Sequence, residues 1–139
     1  MIEFHFKSDL LLETKSDYSD WINRILESEG FVLGQIDYIF CTDDYLLELN
    51  QEYLNHDTFT DIITFDYTDG RTISADIFIS TERVEENALN FEVSFKEELL
   101  RVMSHGVLHL MGYGDKSDED QILMRKKEEE KMKLFHVEP

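Results

Sequence analysis

The sequence predicts an α+β fold, a mixed β-sheet packed with helices, as one domain over residues 1–139. Three observations carry that prediction. Short runs of period-two alternation interleave with longer runs of helical hydrophobic spacing. One pair of strand-like runs flanks Asp69-Gly70, a hairpin signal that makes at least that pair antiparallel. Hydrophobic residues make up 42% of the chain, enough for 139 residues to bury a core without disulfides, as a single cysteine requires.

Taken in order, Ile2, Phe4 and Phe6 alternate with Glu3 and His5, so the first strand is half-buried and His5 faces solvent. Between Tyr18 and Glu29, Trp21, Ile22, Ile25 and Leu26 recur at helical spacing, and Gly30 follows as a left-handed C-cap. Aromatic and β-branched residues from Phe31 to Cys41 read as a second strand, with Cys41 packing at its end. Thr42 then caps a helix reaching about Tyr53, with Asp43 and Asp44 in the first turn, where the helix dipole favours them. Asp61–Tyr67 and Arg71–Ser80 form the antiparallel pair. In the second of these, Ile73, Ala75, Ile77 and Ile79 share one face, and Ser74, Asp76 and Phe78 the other. Ser80 or Thr81 caps a short third helix. Ser94 and Glu97 have capping-box spacing before a fourth helix from Phe95 to about Met111, and Ser117 opens a last, highly charged one.

Composition narrows the function classes. The apolar runs are too short to span a membrane, no signal peptide is recognisable, and one cysteine fits a reducing compartment, so cytoplasm is expected. A formal net charge of -18 argues against bulk electrostatic attraction to nucleic acid. The distribution is uneven: residues 1–70 hold 3 basic and 16 acidic residues, residues 71–139 hold 10 and 15. Any polyanion contact is therefore expected from the second half.

The chemistry concentrates in the fourth helix. At 100° per residue, Leu99, Leu100, Met103, Val107, Leu108, Leu110 and Met111 fall on one arc, whereas His105 and His109 lie one turn apart on the opposite side, with Glu98 and Val102 near the same line. Two imidazoles at that spacing can converge on one ion. Gly112-Tyr113-Gly114 then breaks the helix and delivers Asp115. Three protein ligands leave a fourth position for water, the arrangement of a catalytic rather than a closed structural zinc site.

The segment His105-Gly-Val-Leu-His109-Leu-Met-Gly112-Tyr113-Gly-Asp115 resembles the signature of the YbeY family, His-Gly-x-x-His-Leu-x-Gly-Tyr-Asp-His. Upstream, Thr60-Asp61-Ile-Ile-Thr-Phe65 and Asp76-Ile-Phe-Ile-Ser80 are similar to other segments of that family, as is the approach from Phe95 to Leu99. The resemblance implies a zincin-like fold and a Zn2+-dependent, single-strand-specific endoribonuclease. It implies ribosomal RNA and the ribosomal small subunit as partners, in RNA maturation and ribosome quality control. His105, His109 and Asp115 would be the metal ligands. Asp115 stands where most members have histidine, and its harder oxygen weakens selectivity against manganese or iron. The family's arginine aligns with Leu54 and its proline with Phe59. Arg101, Lys116 or another basic residue is left to meet phosphate charge.

The general base is unassigned. Gly106 occupies the position of the glutamate in His-Glu-x-x-His peptidases, which disfavours that chemistry. Asp61, Asp76 and Glu98 can orient a histidine or move a proton, and each reads equally as structural. His56 and His136 lack ligand partners at useful spacing, the charged block Arg125–Lys133 reads as a solvated helix face, and Tyr113 packs the turn or stacks on a base. Two other functions stay open: a ribosome-assembly or RNA-binding factor with a mainly structural metal, and a metal hydrolase of small substrates.

Overall fold

The computed structural model describes residues 1–10, 12, 14–54 and 60–136, without the side chains of Leu54 and His136. His56, Phe59 and those two side chains lie outside the described residues. The elements run β1 (Ile2–Phe6), α1 (Lys15–Ser28), β2 (Val32–Cys41), α2 (Asp43–Leu54), β3 (Ile62–Asp66), β4 (Thr72–Ser80), α3 (Thr81–Phe91), α4 (Phe95–Leu110) and α5 (Asp118–Met132). A 3-10 turn over Lys133–His136 follows α5.

The four strands order as β1-β2-β4-β3. β1, β2 and β4 are parallel, and β3 returns antiparallel to β4, so the sheet is mixed as expected. Asp69 and Thr72 exchange backbone hydrogen bonds of 3.0 Å, which centres the hairpin on Gly70-Arg71, one residue later than the sequence signal. Gly70 takes φ +59 at the first central position, where a positive φ suits the twist of paired strands.

The main core lies on one face of the sheet. Ile36, Tyr38 and Phe40 of β2 and Ile73, Ala75, Ile77 and Ile79 of β4 meet Trp21, Ile22, Ile25 and Leu26 of α1 and Leu99, Met103 and Val107 of α4. On the other face, α2 buries Leu46 against Cys41 and Ile63. Two buried hydrogen bonds fix the helices that frame the site. The Tyr38 hydroxyl donates to the Met103 carbonyl of α4 at 3.1 Å, and Trp21 Nε1 donates to the Lys131 carbonyl of α5 at 2.8 Å.

Two expectations are corrected here. Glu98 and Val102, placed by the helix projection on the polar side with the histidines, are buried, because α3 and α5 both pack against α4. The charged block of α5 is not uniformly solvated either: Glu128 is 5% and Lys131 3% exposed. Their burial has partners, since Lys131 donates to Ser28 Oγ at 2.8 Å and to Glu29 at 2.9 Å.

Candidate metal centre

α4 starts at Ser94, whose hydroxyl accepts the Glu97 N–H at 3.1 Å, and carries His105 and His109 one turn apart near its C-terminus. Their rings stand nearly perpendicular, 80° apart, with centroids 4.5 Å apart. The helix then stops in a Schellman motif: Gly112 N–H donates to the His109 carbonyl and Tyr113 N–H to the Leu108 carbonyl, each at 3.0 Å. Gly112 makes this possible at φ +105, a conformation costly to any residue with a Cβ. The reversed chain brings Asp115 back beside the last turn.

The three side chains converge. His109 Nε2 lies 3.0 Å from His105 Nε2 and 3.2 Å from Asp115 Oδ2, and His105 Nε2 lies 3.5 Å from that same oxygen. Ligands about 2.0–2.1 Å from a tetrahedral zinc are about 3.3–3.4 Å from one another, so the donor spacing fits such an ion. Chemistry agrees with spacing. His105 Nδ1 is 2.6 Å from Glu128 Oε2, and donating its proton there leaves the Nε2 lone pair free to ligate. Burial alone would lower the pKa of His105, but the Glu128 hydrogen bond and the charges of Glu128, Asp61 and Asp115 outweigh it and raise it.

A second cluster locks the turn. Tyr113 donates its hydroxyl to Glu29 Oε1 at 2.6 Å, and Glu29 also accepts from Lys131 at 2.9 Å and Lys127 at 3.4 Å. Burial would raise the Glu29 pKa, yet the Lys131 and Tyr113 hydrogen bonds and the two lysine charges hold it down at about 2. Tyr113 thus packs the turn against α1 and α5.

An open cleft of about 320 Å³ adjoins the ligands and includes Asp61, Glu98, Arg101, Arg125 and Glu128 in its walls with His105 and Asp115. Asp61 and Glu98 are therefore at the site; burial pushes both carboxyls upward. Among the described residues Glu98 makes no hydrogen bond or ion pair with a histidine and instead pairs with Arg101 at 3.4 Å. Asp76 is elsewhere, on the opposite sheet face, accepting from the Tyr67 hydroxyl at 3.3 Å. On that face Glu3, His5 and Asp37 also converge, but His5 is 46% exposed and bonded to Asp37 at 2.9 Å, an ordinary surface pair. Lys116 is exposed and does not line this cleft.

Gly106 faces the sheet. A Cβ there would meet Ile62 Cδ1 at 3.0 Å and Ile77 at 3.4 Å, so those side chains must give way before a larger residue fits at this position. Glu128 is the site residue that sequence reasoning missed. Its signal was the spacing Met124-Glu128-Lys131, an inward helical stripe in which two of the three members are charged.

Comparison with known proteins adds an independent line. A family model described as "Endoribonuclease YbeY" matches residues 4–136. A protein of that name from Flavobacterium psychrophilum is 57% identical over 99% of this chain and 98% of its own length. Its namesake from Flavobacterium johnsoniae is 56% identical over 99% of both chains. A solution structure of a Thermotoga maritima protein superposes with a TM-score of 0.69 at 29% identity, covering 97% of this chain and 89% of that one.

Proposed function

Because this chain belongs to the YbeY family of metal-dependent endoribonucleases, we propose that its centre is a zinc site of His105, His109 and Asp115 that cuts single-stranded ribosomal RNA. Acting on the ribosomal small subunit, as one domain in the cytoplasm, it serves RNA maturation and ribosome quality control. No helix among the described residues is long and apolar enough to cross a membrane. The observation that carries the reading is three candidate ligand atoms within 3.5 Å of one another, two of them from residues that line an open cleft, His105 and Asp115. A mainly structural ion would favour a closed, four-ligand shell, whereas Asp115 is 42% exposed here.

Each residue has a distinct task. His105, His109 and Asp115 would hold the ion, which when bound supplies Lewis acidity to a phosphoryl oxygen and lowers the pKa of water. Glu128 keeps the His105 proton on Nδ1. The Glu29–Tyr113 hydrogen bond restrains the turn that presents Asp115. Asp61, raised by burial and lining the cleft, is the carboxylate placed to hold or move a proton near the substrate.

The test uses protein stripped of metal and reconstituted with zinc. Wild type should bind about one equivalent of zinc and cut single-stranded but not duplex RNA, and His109→Ala should lose both properties. In cells lacking the protein, wild type but not His109→Ala should clear ribosomal RNA precursors. Equal cutting by the two proteins, purified to a nuclease-free baseline, would refute the reading.

A further inference from the structure

A metal centre that receives an RNA strand must also meet the charge of its backbone, and here the surroundings oppose it. The chain carries a formal net charge of -18, and Asp61, Glu98 and Glu128 all wall the cleft beside the ligands. Two guanidinium groups enter that cleft, and their situations differ.

Arg101 is already engaged. Its side chain is 15% exposed and lies 3.4 Å from Glu98 and 3.4 Å from Glu128, held between two buried carboxylates. Arg125 is exposed and sits on α5 three residues before Glu128. It lines the cleft of about 320 Å³ and also an adjoining one of about 270 Å³, which shares His105, Asp115 and Glu128. Its charge acts on Glu98 through space, but among the described residues it makes no hydrogen bond or direct ion pair. A free guanidinium offers five N–H donors in a fork that matches two phosphate oxygens.

We propose that Arg125 is the phosphate-binding residue of this centre, gripping the RNA backbone where the two clefts meet and so setting which phosphodiester lies against the ligands. The proposal rests on reading the site as an RNA-cutting metal centre. Its location explains how so acidic a protein engages a polyanion: the needed charge is one local guanidinium beside the ligands, not a basic surface.

The experiment compares full-length, zinc-loaded wild type with Arg125→Gln, Arg125→Lys and Lys126→Gln, each checked first for zinc stoichiometry and melting temperature. Lys126 is the control, an adjacent exposed cation that lines neither cleft. The probe is a fluorescent, single-stranded 2′-O-methyl RNA, titrated at several salt concentrations. Arg125→Gln should weaken binding about tenfold or more and flatten the dependence of log affinity on log salt by about one phosphate contact. Arg125→Lys should fall between it and wild type, because the point charge survives without the fork. Lys126→Gln should change affinity less than about twofold with the same slope. Wild-type affinity in Arg125→Gln, a loss no larger than in Lys126→Gln, or no measurable binding by wild type overturns the proposal. Failure of the wild type to cut unmodified RNA would instead overturn the nuclease reading, and the binding titration still decides the role of Arg125.

Discussion

At the scale of single residues, the proposed centre leans on a carboxylate outside the proposed ligand set. Glu128, 5% exposed, meets His105 Nδ1 at 2.6 Å and thereby selects the tautomer whose Nε2 faces the other donors. Glu128→Gln keeps the shape but removes the charge, and zinc affinity should fall about 10- to 100-fold in competition with a chromophoric chelator. Unchanged affinity would mean that His105 is oriented by packing alone. The convergence of the three proposed ligands was legible in the sequence because they are local: two histidines four apart, then a glycine break, then Asp115. Glu128 was not, because its neighbours at 125–127 and 129–131 are all charged and imitate a solvated face. Only tertiary packing turns that stripe inward.

Among elements, the capping residues were the most readable. Thr42, Ser80, Ser94 and Ser117 each accept a backbone N–H at the start of a helix, between 3.0 and 3.2 Å, and Gly30 and Gly112 take the positive φ expected after α1 and α4. Such signals lie within a few residues of the feature they cause, which is why they survive without three-dimensional information. What joins the elements was not readable. Glu29 ends α1, Tyr113 follows α4 and Lys131 closes α5, and their mutual hydrogen bonds clamp the three together. The Glu29 carboxyl, near 4.5 when unfolded, is held at about 2 in the fold. A depressed folded pKa contributes stability that is complete above the unfolded value and is lost as pH falls through the folded one. Chemical denaturation of wild type should therefore show an acid loss between about pH 4.5 and 2 that is smaller in Glu29→Gln, with the variant about 2 kcal/mol less stable at pH 7. Parallel profiles would show that this clamp does not govern the acid limb.

For the whole molecule, the mixed α+β class followed from periodicity, but the strand order β1-β2-β4-β3 did not. Parallel partners such as β2 and β4 are separated by a helix and a strand, and no local pattern announces which edges will pair. Binding of an ion to the folded chain alone is linked to global stability. Zinc at about 1,000 times its dissociation constant should add about 4 kcal/mol, or roughly 10–15 °C in melting temperature for a domain of this size. Scanning calorimetry with and without chelator checks this, and His109→Ala should melt alike in both. The split between local candidate ligands and distant support also has a consequence for fragments: a piece of the chain that stops before α5 keeps His105, His109 and Asp115 but lacks the Glu128 carboxylate that meets His105 Nδ1.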